Sequence, residues 1–351
     1  MKLAAIICEY NPLHTGHKRL IDYAKTLADN VVCIMSGNFT QRGLPACADK
    51  YSRAKHAIYA GADLVVELPT VFATASAENF AFGAISIANR LGADCLVFGS
   101  ESGNIDELKR CVETISDCDT NKLIQQEVHK GVSYPKAIAL ATGLELLSRP
   151  NNVLAIEYLK ALQNTHSTIV PFTLKRDDNY NAEQAKQYAS SMALRTDKAL
   201  RDKYTFDYVA QDIDDDVEQK FCQLVPSILS VATKEQLEQI EGVTEGLHNR
   251  IFNADKTKGY EFMLEQIKTK RYTRLKLQRV IINQVLGITK DIVAEYKTVQ
   301  PKTKVLAVRS GSVSLMKNIE NETDEITLRA DKLYATLSGK TAPTKLVKID
   351  V

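Results

Sequence analysis

Residues 1 to about 100 alternate between short apolar runs and longer segments whose apolar residues recur at helical spacing. The apolar runs predict strands over 3–8, 31–35, 64–68 and 95–98. Between the strands, the spacing predicts helices over 18–24, 51–59 and 78–91. Strands that alternate with helices form parallel sheets joined by right-handed crossovers. The expected fold class is therefore α/β, with a Rossmann-like parallel sheet covered by helices on both faces.

The rest of the chain is predicted to be richer in helix. Residues 105–165 have helical patterns with a break at 148–152, after which an Asn is the expected N-cap of a helix over 153–162. A fifth strand is expected over 169–174, then helices over 182–188 and 193–203. Four of the five residues from Asp212 to Asp216 are acidic, and residues 217–297 are helical in pattern. We therefore predict an α/β domain over 1–205 and a mainly helical domain over 206–351.

The composition excludes several classes of protein. With 44% hydrophobic and 25% charged residues, the chain of 351 residues is an ordinary globular protein with no span apolar enough to cross a bilayer. The net charge of +2 means that any basic surface must be local. The seven cysteines form no C-x-x-C pair, which predicts reduced packing residues, no zinc site and a cytoplasmic location. The N-terminal apolar run is too short for a signal peptide.

The loop after the first strand carries His14-Thr15-Gly16-His17, and a helix is predicted directly behind it. Loops at the carboxyl edge of a parallel sheet bind nucleotides, and the N–H groups that open a helix attract phosphate. Two imidazoles three residues apart can point at one site and donate hydrogen bonds to phosphate oxygens. Such donors help most when negative charge builds on departing pyrophosphate. His14 and His17 are therefore candidate catalytic residues.

This loop resembles the signature of the HIGH-type nucleotidyltransferase superfamily, whose members attack the α-phosphate of ATP and release pyrophosphate. The superfamily has a second signature, similar to I-S-S-T-x-I-R. Here Ser190, Ser191 and Arg195 fall in register with it, whereas Met192 stands where a threonine is common. Hydroxyls at a helix start, together with an arginine, hold β- and γ-phosphates. A serine pair alone would indicate only a helix cap, but beside the histidine motif it predicts ATP-binding serines and a catalytic Arg195.

The resemblance extends to one family, the bacterial tRNA(Met) cytidine acetate ligases, over residues 1 to about 290. Six segments carry it in order. They are Glu9-Tyr10-Asn11-Pro12-Leu13-His14, Ser36-Gly37-Asn38-Phe39-Thr40-Gln41-Arg42-Gly43, Asp63-Leu64-Val65-Val66-Glu67-Leu68-Pro69, Phe98-Gly99-Ser100-Glu101, Pro150-Asn151-Asn152-Val153-Leu154-Ala155-Ile156-Glu157-Tyr158 and Thr269-Lys270-Arg271-Tyr272-Thr273. Several matches of this length in order are far more specific than any one of them.

The resemblance implies an ATP-dependent ligase. Members of the family activate acetate as acetyl-adenylate and transfer the acetyl group to N4 of the wobble cytidine of elongator tRNA(Met). By resemblance, ATP contacts fall on Ile7, Cys8, Glu9, Tyr10, Asn11, Pro12, Leu13, His14, Thr15, Gly16, His17, Lys18, Arg19, Leu20, Gly99, Asn151 or Asn152, and Arg176. Asn151 is favoured over Asn152 because it directly follows Pro150. Mg²⁺ is expected to accompany ATP, but no pattern of carboxylates in the sequence indicates a dedicated metal site.

Acetate needs no deprotonation at neutral pH, so the enzyme need only orient it and stabilise the leaving group. Lys18, Arg19 or Arg42 are candidate cations for the acetate or the α-phosphate. Arg42 lies in the loop of residues 36–43, which we expect to contact substrate rather than nucleotide, although a plain turn with a solvated arginine would look the same.

Six cations fall within the twelve residues from Lys268 to Arg279, where acidic residues are absent. Charge runs are usually solvated surfaces, but this density favours contact with a nucleic-acid backbone. Lys268, Lys270, Arg271 and Arg274 are the candidate tRNA-binding residues, on one face if the segment is helical. Tyr272 among them is a candidate for stacking on an unpaired base.

Two other functions remain open from the residues alone. A nucleotidyltransferase that adenylylates a small cofactor precursor would share the ATP motifs without needing the basic segment. A non-catalytic RNA-binding protein would use the basic segment but leaves the His-x-Gly-His loop unexplained.

Overall fold

The computed structural model describes residues 1–132, 134–143, 145–176, 191–299, 301–317, 319–340 and 346–350. The strands of these residues form one seven-stranded sheet in the order β5-β4-β1-β2-β3-β6-β7. They are β1 (Leu3–Cys8), β2 (Asn30–Ser36), β3 (Leu64–Leu68), β4 (Cys95–Ser100), β5 (Val170–Lys175), β6 (Val305–Arg309) and β7 (Val347–Ile349).

Strands β1 to β5 pair in parallel, β6 is antiparallel to β3, and β7 is parallel to β6. The predicted α/β fold is thus confirmed, and the five strands expected in the first domain are all present. From β1 the chain adds strands first on one side and then, with β4 and β5, on the other. The carboxyl end of β1 is therefore a topological switch point, the usual place for a ligand in such sheets.

Helices cover both faces of the sheet because the strand residues alternate between two apolar cores. Leu3, Ala5 and Ile7 of β1 face one core, and Ala4, Ile6 and Cys8 face the other. The helices are α1 (Thr15–Leu27), α2 (Lys50–Tyr59), α3 (Thr70–Ala73), α4 (Ala77–Arg90), α5 (Ile105–Ser116), α6 (Cys118–His129), α7 (Tyr134–Thr142), α8 (Pro150–Asn164), α9 (Ser191–Thr196), α10 (Lys198–Tyr204), α11 (Asp207–Ala210), α12 (Val217–Ser230), α13 (Lys234–Gln239), α14 (Leu247–Asn253), α15 (Tyr260–Ile267), α16 (Arg274–Leu286), α17 (Lys290–Thr298) and α18 (Glu325–Ser338).

The expected Asn N-cap near residue 152 is wrong. Helix α8 begins at Pro150 with Arg149 as its N-cap, because proline is well suited to the first helical position. The cap comes from another element: the carboxylate of Glu101, just beyond β4, accepts the backbone N–H groups of Asn151 at 3.1 Å and Asn152 at 2.7 Å.

The helix predicted over 193–203 is two helices, α9 and α10. The break falls at Asp197, whose side chain accepts the backbone N–H of Leu200 at 3.1 Å and so caps α10. The helix predicted over 182–188 lies outside the described residues.

Residues after 205 build a third apolar core from α12 to α18 and also complete the sheet. The acidic run packs against the α/β region: Asp212 Oδ2 lies 2.8 Å from Nε2 of His56, and Asp215 pairs with Arg201 at 2.6 Å. The division at residue 205 therefore stays a prediction, and the last fifty residues supply β6 and β7 to the sheet of the predicted first domain. Five of the seven cysteines are buried and all are free thiols. Within the described residues, no helix has both the length and the apolar character needed to cross a membrane.

Candidate active site

The histidine loop, residues 9–17, joins β1 to α1 at the switch point of the sheet. His14 is the N-cap of α1: its Nδ1 accepts the backbone N–H of Gly16 at 3.1 Å. His17 reciprocates, since its Nδ1 accepts the backbone N–H of His14 at 3.3 Å. The two rings stack with centroids 3.8 Å apart. A histidine version of the capping box therefore fixes both imidazoles side by side at the start of the helix.

Both rings of this pair are neutral at pH 7. Burial, with a contribution from the positive charge of Arg176, lowers the pKa of His14 to about 3. Burial, followed by the charges of His14 and Arg176, lowers the pKa of His17 well below its usual value. In each ring Nδ1 is an acceptor, so the single proton sits on Nε2. Each imidazole thus keeps one N–H donor that no helix-capping bond uses.

Tyr10 packs against the histidine pair. Its ring is buried and meets the ring of His17 edge-on at 5.0 Å, while its hydroxyl lies 3.3 Å from the Sγ of Cys33. The Oγ1 of Thr15 is also buried, and it has no hydrogen-bond partner among the described residues. Polar atoms left in this way are rare in native proteins, and at the mouth of a helix N-terminus such an atom is suited to a ligand.

Helix α9 brings Arg195 to the histidine loop, as the paired motifs require. Its Nη1 donates to the backbone carbonyl of Asn11 at 2.8 Å. The end of α9 is held in turn by Arg201, which donates to the carbonyls of Leu194 at 3.0 Å and Arg195 at 3.1 Å. Ser191 is the first residue of α9, whereas Ser190 lies outside the described residues.

Gly99 lies on β4, and Arg176 directly follows the adjacent strand β5. The backbone N–H of Arg176 donates to the carbonyl of Ser100 at 2.8 Å. A Cβ on Gly99 would lie 3.2 Å from Cγ of Arg176, so the arginine stem passes directly over the glycine. The positive charge of Arg176 contributes to the lowered pKa of both histidines. That Gly99 and Arg176 contact ATP stays a prediction.

The two asparagines of α8 have different surroundings. The side chain of Asn152 is fully engaged: its Oδ1 accepts from Ser102 N–H at 3.1 Å and its Nδ2 donates to Leu146 O at 3.0 Å. Asn151 is half-buried, and its Nδ2 donates to Glu101 at 2.7 Å. Among the described residues, the Oδ1 of Asn151 accepts no side-chain or backbone hydrogen bond, and the choice of Asn151 over Asn152 as the ATP contact stays a prediction.

Arg53, which was not predicted from the sequence, connects the loops at this edge of the sheet. Arg53 of α2 is completely buried and donates to four backbone carbonyls, those of Glu9, Ser36, Gly37 and Ala48. It thereby joins the histidine loop to the β2 loop, residues 37–49, which connects β2 to α2. A signal was present: Arg53 is four residues before the buried Ala57, so helical spacing places it on the apolar face of α2.

The chain is similar to proteins of known families. The model of the HIGH Nucleotidyl Transferase family matches residues 1–346. A tRNA(Met) cytidine acetate ligase from Acetivibrio thermocellus is 36% identical over 359 residues, covering 92% of this chain and 86% of the relative. Another, from Clostridium novyi, is 36% identical and covers 82% of this chain and 79% of the relative.

The chain belongs to the tRNA(Met) cytidine acetate ligase family. A crystal structure of Thermotoga maritima TmcAL bound with alpha-thio ATP matches it with a TM-score of 0.83 and 25% identity, covering 99% of this chain and 100% of that chain.

The remaining ATP-binding candidates of this family member differ in accessibility. Leu13 is completely buried, and Ile7 and Cys8 are buried at the end of β1, so these residues present backbone rather than side chain. Lys18 pairs with Asp22 on the outer face of α1. Arg19 and Arg42 are exposed. Their roles, like that of Pro12, remain predictions.

The basic segment of this ligase-family chain is not one helix face. Lys268 ends α15, Thr273 caps α16, and Lys270 and Arg271 lie in the turn between the two helices. Three of the four candidate tRNA contacts pair with acids: Lys268 with Glu265, Arg271 with Glu245, and Arg274 with Glu261. Lys270 is exposed, and within the described ranges no ion pair is found for it.

Tyr272 is not available for base stacking. Its ring is 5% exposed, and its hydroxyl donates to the carbonyl of Thr244 at 2.8 Å. The tyrosine belongs to the core of the helical region because it closes the turn between α15 and α16, so the stacking role expected from the sequence is wrong.

No protein site for Mg²⁺ is assigned. Across the described part of the chain, no three His, Cys, Asp or Glu side chains come together in a way that could hold a metal ion.

Proposed function

We propose that this chain activates acetate with ATP to give acetyl-adenylate and pyrophosphate, and then acetylates N4 of the wobble cytidine of elongator tRNA(Met). The observation that carries the proposal is the pair of stacked, neutral imidazoles at the N-terminus of α1, with Arg195 held against the same loop. The family supplies the identity of the acyl group and the tRNA. ATP and tRNA as substrates place the reaction in the cytoplasm.

In the first step, a carboxylate oxygen of acetate attacks the α-phosphorus of ATP, the bond between the α-phosphorus and the bridging oxygen breaks, and pyrophosphate leaves. The Nε2–H groups of His14 and His17 and the N–H groups of α1 are suited to the β- and γ-phosphates, where negative charge builds. A neutral histidine whose Nδ1 accepts a hydrogen bond still has its Nε2–H to donate there. Arg195 adds a permanent positive charge next to the loop.

In the second step, the N4 amine of the cytidine attacks the acyl carbon of acetyl-adenylate, the bond from that carbon to the AMP oxygen breaks, and the amine loses a proton. No residue of this chain is needed as a covalent nucleophile. Burial raises the pKa of Cys8 well above its usual value, and that of Cys47 to about 11, so these two thiols are protonated.

The basic segment lies near the histidine loop, at a position from which it could present bound tRNA to the candidate active site. Helix α16, which carries its last cations, touches the β2 loop: a Cβ on Gly43 would lie 2.5 Å from the carbonyl oxygen of Gln278. The β2 loop in turn contacts the histidine loop. Exposed ion pairs contribute at most about 1 kcal/mol, so the arginines can exchange their carboxylates for phosphates at little cost.

The proposal is tested by incubating the protein with ATP, isotope-labelled acetate and unmodified elongator tRNA(Met), and analysing the tRNA nucleosides by mass spectrometry. We expect labelled N4-acetylcytidine that depends on ATP. Consumption of ATP without acetate in the tRNA, together with adenylylation of an added small molecule, would instead indicate a cofactor-precursor nucleotidyltransferase. If ATP does not bind at all, the proposed activity is wrong.

Reversing the charges of Lys270 and Arg271 to Glu should weaken tRNA binding. Each lost phosphate contact reduces the slope of log affinity against log salt by about one, so the double variant should lose about two. The measurement is tRNA binding by filter retention across a salt series, with the double variant Lys109→Glu and Lys122→Glu, at exposed positions of α5 and α6, as the charge-matched control. Unchanged affinity and slope in the double variant would remove the basic segment from the proposed tRNA surface.

A further inference from the structure

The β2 loop is held from one side by the histidine loop. The backbone N–H of Gln41 donates to Oε1 of Glu9 at 2.7 Å, and the backbone N–H of Cys47 donates to Oδ1 of Asn11 at 2.7 Å. Asn11 is also the residue whose carbonyl accepts from Arg195. A displacement of the β2 loop would therefore also displace the histidine loop.

The same loop is held from the other side by α18, far along the chain. Oδ1 of Asp331 accepts from Nδ2 of Asn38 at 2.9 Å, and its Oδ2 accepts from Nζ of Lys50 at 2.6 Å. The hydroxyl of Tyr334, one turn further on, donates to the carbonyl of Ala46 at 2.9 Å. Helix α18 thus forms hydrogen bonds near both ends of the β2 loop.

Asp331 completes a buried cluster of charges. The ammonium of Lys50 also donates to both carboxylate oxygens of Glu67, at 2.7 and 2.8 Å, and the side chains of Lys50 and Glu67 are only 2% and 3% exposed. Burial, with a smaller contribution from Asp331, raises the pKa of Glu67 to about 7. Oε1 of Glu67 lies so close to Gly37 that a Cβ there would be 2.4 Å away.

Such a cluster contributes little net stability, because the cost of removing the charges from water offsets their attraction. The cluster does fix the geometry of the β2 loop. The carboxylate of Asp331 binds Asn38 with one oxygen and Lys50 with the other, which holds the residues between them in one arrangement. In the described part of the chain, the side chain of Asp331 forms hydrogen bonds with Asn38 and Lys50 and none with the histidine loop. Its influence on that loop passes through the β2 loop.

We propose that Asp331 is a positioning residue for the adenylation step: acting through Asn38 and Lys50, it holds the β2 loop and hence the histidine loop in the arrangement that stabilises the departing pyrophosphate. This inference rests on the proposed function, since it assigns the histidine loop to the leaving group. It makes the helical region part of the catalytic machinery for ATP, in addition to any role with tRNA.

The test is acetate-dependent exchange of labelled pyrophosphate into ATP, without tRNA, for the wild type, Asp331→Ala, Asn38→Ala and the double variant. Small displacements of reacting groups cost up to about 100-fold in rate, so we expect kcat of Asp331→Ala to fall roughly 10- to 100-fold. KM for ATP should change less than about threefold, because the lost interaction acts mainly in the transition state. In the double variant the two effects should combine to less than their product, since both changes break the hydrogen bond between Asn38 and Asp331, while Asn38→Ala also removes the acceptor of the Lys50 backbone N–H.

Lys332→Ala, an exposed neighbour on α18, is the control and should leave kcat unchanged. Wild-type kcat in Asp331→Ala, or effects of the two single changes that multiply in the double variant, would overturn the inference. If Asp331→Ala does not fold, Asp331→Asn keeps one of the two hydrogen bonds, and it must still lower kcat for the inference to stand. Absence of exchange in the wild type would refute the proposed function itself, which separates the two failures.

Discussion

Replacing His14 by Asn and His17 by Gln, separately, should lower acetate-dependent ATP–pyrophosphate exchange by about 100- to 1000-fold each while leaving the fold intact. These changes are chosen because both histidines also cap α1. Asn is among the best N-cap residues, and Gln at the third helical position completes a capping box. The variants therefore keep the backbone hydrogen bonds and remove only the Nε2–H donors. Loss of one well-placed donor to a developing negative charge costs a factor of this size.

The measurement combines exchange kinetics with thermal melting and tRNA binding. We expect melting temperatures close to that of the wild type and tRNA affinity within about twofold, because the basic segment is not altered. His14→Ala serves as the comparison that loses both cap and donor, and it should melt at a lower temperature than His14→Asn. Full exchange activity in His14→Asn and His17→Gln would show that the imidazoles are present for capping alone.

Replacing Arg53 by Met should destabilise the protein by about 4 kcal/mol, a large effect for one residue. The guanidinium is completely buried and donates to four carbonyls, at 2.9 Å in the case of Ala48. Met fills a similar volume but leaves these carbonyls without their donor, and each unsatisfied buried group costs about 1–3 kcal/mol before the structure relaxes. Activity should also fall, since Glu9 of the histidine loop loses one of its ties to the β2 loop.

Urea unfolding at equilibrium measures this change, and the control is Lys55→Met on the same helix. Lys55 is half-buried, with its ammonium 5.5 Å from the centre of the Tyr59 ring, so its replacement should cost less than about 1 kcal/mol. Equal losses in the two variants would mean that the four hydrogen bonds of Arg53 add nothing beyond the removal of a cation from α2.

The local elements of the α/β region could be predicted because their signals are local. Leu3–Cys8 is a continuous apolar run and Leu64–Leu68 is apolar except for Glu67, as is typical of strands buried on both faces, and the structure places strands there with the predicted bounds. The cap of α8 could not be predicted in the same way. It comes from Glu101, fifty residues earlier in the chain, and spacing within α8 carries no information about it.

The residues of the candidate site likewise differ in whether their role depends on local sequence or on distant partners. His14 is the N-cap of α1 and Gly16 and His17 lie in its first turn, so their sequence spacing already sets their geometry. Tyr272 was misinterpreted because its position between cations suggested a surface, whereas packing between α15 and α16 buries it. Arg53, Lys50 and Asp331 were missed because a charged side chain reads as exposed until the partners that bury it are known.

By itself, the sequence determined the α/β fold and a histidine loop between its first strand and first helix, since apolar periodicity and a four-residue turn need no distant partner. Only the tertiary structure decided how that loop is held. Its supports are Arg195 from α9, Arg53 from α2 and, through the β2 loop, Asp331 from α18. These contacts join residues 44 to 293 positions apart, and such pairings are set by how whole elements pack rather than by any pattern along the chain.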